Sequence, residues 1–180
     1  MQIDRYSRPA IAMHWLVALL IVGGFALGLY VADLPLSPAK FKLIAWHKWI
    51  GITVLTLAVL RLVYRLVNGA PPLPESTQGL MRAAAHAGHL ALYVLMFAIP
   101  LTGWAMSSAY GFPVVLFKLW QLPELVGRDE ALGDLLKSVH QWLNWSMAAC
   151  VAGHVAAAFK HHFVDRDGLL WRMSPHAQRR

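Results

Sequence analysis

Apolar residues in this chain gather into long blocks instead of alternating with polar ones. Ile11 to Val31 contains no charge, and Leu43 to Leu66 carries Lys48, Arg61 and Arg65 only toward its two ends. Ala83 to Ala109 holds His86, His89 and Pro100 but no Lys, Arg, Asp or Glu, and Val139 to Phe159 is equally free of them. A helix needs about 20 residues to cross a hydrocarbon layer of about 30 Å, so each block is long enough. Strands of a membrane barrel would be about 10 residues long with alternating polarity, which these blocks lack. The pattern predicts an all-α, four-helix transmembrane bundle forming one unit over 1–180, with spans near 11–31, 43–66, 83–109 and 139–159 and a tail over 160–180.

Composition sharpens that picture. Of 180 residues, 58% are hydrophobic and only 14% charged, against about 45–50% and about 25% in soluble domains. A single cysteine, Cys150, excludes a disulfide scaffold. The net charge of +7 sits at the ends of apolar blocks and forms no basic stripe, so nucleic acid is not an expected partner; the lipid bilayer is. Arg5 and Arg8 before the first block resemble a secretory leader, but that block exceeds the ~7–15 residues of a leader core.

The cations also orient the bundle. With the N-terminus inside, Arg5, Arg8, Arg61, Arg65, Arg82, Lys160, Arg166, Arg172, Arg179 and Arg180 face the cytoplasm. Lys40, Lys42, Lys48, Lys118, Arg128 and Lys137 face outward, so both termini are expected in the cytoplasm. Pro35, Pro38, Pro71, Pro72 and Pro74 stiffen the short connections. The longest connection, Tyr110 to Ser138, contains a Phe112-to-Leu122 portion with Lys118 and Trp120 that reads as an interfacial segment.

Ionisable residues inside a span are costly and point to function. His14 lies six residues after Arg8 and His154 six before Lys160, both on the inner level. His47 lies five after Lys42 and His140 three after Lys137, both on the outer level. His140 and His154 are fourteen apart, a rise of about 21 Å with the side chain returning to within about 40° of its starting direction. One face of the fourth helix thus offers an imidazole near each surface, an arrangement suited to stacked metal or haem sites with two axial histidines. Each histidine alone is equally well read as hydrogen-bonded across the bundle.

Neighbouring residues extend the pattern. Arg61, fourteen after His47, and Arg65, eighteen after it, reach the inner level, where each either neutralises an anionic group or snorkels to the headgroups. Gly28, fourteen after His14, leaves room near the outer level. His86 and His89 share one face of the third span. They either replace an inner ligand or hydrogen-bond a propionate, a quinone or a ligand's partner. His161 and His162, at the inner end of the fourth span, read as a polar cap or as a quinone or proton-transfer site. Without Cys-x-x-Cys-His, covalent c-type haem attachment is excluded.

Tyr6-Ser7-Arg8 before His14-Trp15, His47-Lys48-Trp49-Ile50-Gly51, Arg61, Arg65, Ala85-His86-Ala87-Gly88-His89, Pro100, Gly103, His140, His154 and His161-His162 together resemble the bacterial cytochrome b561 family along the whole chain. The resemblance implies a multi-pass protein of the bacterial inner membrane with two non-covalent b haems, His14 and His154 holding the inner one and His47 and His140 the outer. It also implies electron exchange with membrane quinone, as in superoxide:ubiquinone oxidoreductases. The expected function is single-electron transfer between an outer donor, either superoxide or a redox protein, and quinone. Two other readings remain open: a haem subunit anchoring a larger dehydrogenase or hydrogenase, and a proton-coupled transporter using histidine relays.

Overall fold

The computed structural model describes residues 5–72 and 79–174; Pro74, Arg179 and Arg180 lie outside them. Four long helices dominate: α1 (Arg8–Asp33), α2 (Pro38–Asn68), α3 (Gly79–Ala109) and α4 (Glu130–Lys160). A short antiparallel pair, β1 (Val115–Leu116) and β2 (Trp120–Gln121), lies between α3 and α4. A π-helical turn, His161–Asp165, and a 3-10 turn, Leu169–Met173, follow α4.

Helices α1, α2 and α4 each begin where a side chain satisfies a first free amide. Ser7 Oγ accepts from Ala10 N and Ser37 Oγ from Lys40 N, each just ahead of a proline, and Asp129 accepts from Leu132 N at 3.0 Å. The Asp129 cap explains why α4 starts nine residues before the expected span: Glu130–Ser138 is a charged, capped extension that precedes the apolar block. The expected interfacial segment over 112–122 is the β1–β2 hairpin and its flanks, with Phe117, Leu119 and Trp120 strongly exposed at its tip.

Helices α1, α2 and α3 are long and apolar enough to cross a bilayer. Helix α4 matches α2 and α3 in its 31 residues but is less apolar, because His140, Gln141, Asn144, Ser146 and His154 interrupt its span. Leu19, Val22 and Leu90 are 70%, 60% and 66% exposed, an apolar exterior that requires lipid around it. The buried core is small and central: Val17, Ala58, Leu95, Met96 and Met147 meet midway along the bundle. Met147 lies seven residues from both His140 and His154, so this core separates two levels.

Packing is uneven. Helix α3 lies close along α4, α1 along α2, and α2 along α3, whereas the backbones of α1 and α4, and of α2 and α4, make few close approaches. The separated pairs are the ones that carry facing histidines.

Candidate haem sites

At the level that the flanking cations mark as inner, His14 on α1 faces His154 on α4 with ring centroids 6.2 Å apart. At the outer level, His47 on α2 faces His140 on α4, again at 6.2 Å. An imidazole nitrogen stands about 2.0–2.1 Å from a bound first-row metal and about 1.1 Å from its own ring centre, so two rings clamping one ion have centroids about 6.3 Å apart. Both pairs have the spacing of axial ligands across one metal, and both span helix pairs whose backbones leave a slot.

One ring of the outer pair, His140, is held by backbone. His140 Nδ1 lies 3.0 Å from the Ile99 carbonyl and 3.2 Å from Thr102 Oγ1, while Thr102 Oγ1 donates to the same carbonyl at 2.9 Å. With its Nδ1 proton given to a carbonyl, the ring keeps Nε2 free for a metal. Two glycines allow the rings to sit where they do. A Cβ on Gly28 would come within 3.0 Å of His47 Cε1, and one on Gly103 within 3.0 Å of His140 Cε1. Nδ1 of His47 is buried without a close hydrogen-bond partner, and the Gly24 backbone is the polar group beside this ring. Buried polar atoms are rarely left unpaired without a reason, so this orphan, the two glycine seats and the ring spacing all fit a bound haem.

A loop seals this end. Lys48 Nζ donates to the Phe112 carbonyl at 2.9 Å and Trp49 Nε1 to the Val115 carbonyl at 2.7 Å, tying the hairpin to the residues that follow His47. Trp104 Nε1 donates to the Pro123 carbonyl at 3.0 Å, and the Asp129 amide to the Ala109 carbonyl at 2.9 Å. Tyr110 OH donates to Asp134 at 2.7 Å; chiefly through that hydrogen bond, its phenol is pushed up to about 12.

The inner pair has charged company. A third imidazole, His89, stands 5.7 Å from His154. His86, its neighbour on α3, is exposed and makes no ring contact with the pair among the described residues. Arg61 and Arg65 each lie 5.7 Å from the Tyr93 ring, so the tyrosine holds both cations toward the bundle. His14 Nδ1 is buried without a hydrogen-bond partner, and this donor set likewise fits haem.

Farther inward, His161 Nδ1 lies 2.6 Å from Asp167 Oδ2, and His162 stacks edge-on against Trp171 at 5.6 Å. The C-terminal turn reaches back across the bundle: Trp15 Nε1 donates to the Met173 carbonyl at 2.9 Å, and the Tyr6 amide to the Arg172 carbonyl at 3.4 Å. Ile99, Thr102, Tyr93 and Asp167 escape sequence reasoning. Only Asp167 leaves a trace there, as an acid six residues past a histidine.

The chain matches the prokaryotic cytochrome b561 family over residues 5–176. It is 39% identical to cytochrome b561 homolog 2 of Escherichia coli K12 over 172 residues, 94% of this chain and 91% of that protein. It is 31% identical to the probable superoxide oxidase CybB of Yersinia pestis, covering 95% and 96% of the two chains. Cytochrome b561 homolog 1 of E. coli K12 is 27% identical, covering 96% and 98%. With three span-length apolar helices and histidines facing across open slots, the chain belongs to the prokaryotic cytochrome b561 family, multi-pass proteins of the bacterial inner membrane that bind b-type haem and transfer electrons.

Proposed function

We propose that residues 1–180 form one integral-membrane unit whose four helices all cross the bilayer with both termini cytoplasmic. It holds two non-covalent b haems and carries single electrons between a donor on the outer side and membrane quinone. His47 and His140 hold the outer haem, and His14 and His154 the inner one. The observation that carries this is the pair of 6.2 Å imidazole separations sharing α4, each the spacing required by axial ligation. Bound haem supplies a one-electron ferrous–ferric couple. Arg61, steadied by Tyr93, offsets propionate charge at the inner level, and His89 and His86 line that side. His161 and His162 stand where a quinone head would meet the inner interface.

Superoxide is the donor we favour, because one relative carries the name probable superoxide oxidase and the outer end is basic. Lys40 and Lys48 are tethered by their ammonium groups to the Leu34 and Phe112 carbonyls, and Lys42 lies over the Trp46 ring. These contacts hold the lysine side chains in place as a basic rim, which attracts an anion at low salt. Lys137 adds to it from α4. Haem quantification with a reduced-minus-oxidised spectrum tests the core of the reading: two b haems per chain are expected, and one or none would reject it. For the donor, Lys42→Gln with Lys137→Gln should slow superoxide-driven haem reduction at low ionic strength. An unchanged rate would remove steering.

A further inference from the structure

The chain past α4 builds an arrangement that electron transfer alone does not need. The helix widens into a π-helical turn at His161–Asp165, Arg166 adopts a left-handed conformation (φ 52°), and the Asp167 amide bonds back to the His161 carbonyl at 3.3 Å. Such π turns frequently accompany functional positions. This one folds Asp167 onto the ring of His161, with Oδ2 2.6 Å from Nδ1. The other oxygen, Oδ1, accepts from the Leu169 amide at 3.0 Å, so the carboxylate is fixed from both sides. Both side chains are largely buried, at 16% and 10% exposure. Asp165 Oδ2 is the second acid near the ring, 3.3 Å from Nδ1, but Lys160 engages it at 2.6 Å. His161 Nε2 has no hydrogen bond among the described residues.

An ionised carboxylate only accepts, so the ring atom facing it carries the proton. We propose that Asp167 is a positioning residue: it holds His161 in the Nδ1–H form, leaving Nε2 as the atom that passes a proton to a carbonyl oxygen of the bound quinone. The inference rests on the proposed quinone role of His161 and adds the group that makes that role directional. Reducing a quinone to quinol takes two electrons, supplied singly by the haem couple of the proposed function, and two protons, one on each oxygen. Nε2, unprotonated in that form, first takes one of these protons from cytoplasmic water, and the Asp167 carboxylate offsets the imidazolium charge. Nε2 then gives the proton to one quinone oxygen and the ring returns to its Nδ1–H form, while the second oxygen takes its proton from water directly. His161 lies seven residues, or about 10 Å of helical rise, beyond His154 on a similar face, which suits delivery beside the inner haem.

The test uses the full-length holoprotein in nanodiscs with ubiquinone-1 as the probe. In the unaltered protein, side-chain 15N NMR should show His161 protonated at Nδ1; a ring unprotonated at Nδ1 overturns the proposal without any variant. Asp167→Asn should lower kcat for ubiquinone-1 reduction about 10- to 100-fold, the usual cost of losing a histidine's supporting partner. KM should change less than about twofold, and the Nδ1–H signal should give way to mixed tautomers. Asp167→Glu should restore most of the rate, which separates positioning from a general loss of fold. If His161→Gln slows the reaction while Asp167→Asn does not, positioning fails and the quinone reading stands. If neither substitution matters, the quinone role of His161 fails and takes the inference with it.

Discussion

At the outer level, His140 is fixed by a carbonyl and a hydroxyl, each imidazole lies against a glycine, and a stitched loop closes over the pair. At the inner level the same 6.2 Å separation is surrounded by a third imidazole, two arginines sharing one tyrosine, and a folded-back C-terminal turn. The geometry is duplicated and the setting is not. A site held by backbone and glycine has one arrangement available to it, whereas one ringed by charged side chains and a spare imidazole can be tuned and can substitute one group for another. Under the proposed function, rigid holding falls to the donor side and electrostatic adjustment to the quinone side.

The largest effects should come from removing a ligand at each level. His140→Ala leaves His47 with no second imidazole within the described outer site, so the outer haem should be lost completely and haem content should halve. His14→Ala leaves His154 facing His89 at 5.7 Å, so part of the inner haem should remain, with an altered low-spin electron paramagnetic resonance signal. Adding His89→Ala to His14→Ala should then empty the inner site. Equal and complete losses from the two single variants would break the contrast, because the extra imidazole would then be no substitute.

Next in size is a change of charge. Replacing Arg61 by Gln removes a cation from the inner level only. A positive charge disfavours the oxidised iron, so the inner midpoint potential should fall by tens of millivolts, corresponding to on the order of 1–2 kcal/mol at an effective dielectric near 20. The outer potential should fall less, by about half as much or under, since the two levels are about 21 Å apart along α4 and the interaction weakens with distance. Potentiometric titration followed at the haem bands reads both at once. A matching fall at both levels would show that Arg61 acts through the bundle as a whole.

The contrast also separates what could be read from sequence from what could not. Levels and pairing are legible because an intramembrane histidine is costly, and a fourteen-residue interval on one helix fixes depth and direction together. Four apolar blocks likewise announce four helices, although helix boundaries followed caps: Asp129 begins α4 well before its apolar block. The supports of the outer site are hidden for a physical reason. The Ile99 carbonyl is a backbone atom that any residue would provide, and only the path of α3 around Pro100 brings it to His140. Tyr93 and Asp167 are invisible for a related reason, since each acts through a turn or crossing that no local pattern encodes. Gly28 is legible as a vacancy, but not that His47 fills it.

The smallest expected effect tests whether outer rigidity extends to the aqueous rim. Tyr110 clamps the end of α3 to the start of α4: its hydroxyl donates to Asp134, and its ring lies so close to Gly133 that a Cβ there would meet ring carbons at 2.7–2.8 Å. The phenol, raised to about 12 in the folded chain, titrates near 10 when unfolded. A raised folded value means that its stabilisation is present in full below about pH 10 and is lost as pH climbs through about 12. Tyr110→Phe removes the hydrogen bond and keeps the ring. Because the pair is solvent-exposed, the cost should stay under about 1 kcal/mol, a Tm shift of about 1–3 °C. That shift should appear in thermal release of the outer haem and be absent from the inner. The gap between the two proteins should stay constant from pH 6 to 9 and close toward pH 12. If no gap appears at pH 6 to 9, the ring against Gly133, not the hydroxyl on Asp134, holds α3 to α4.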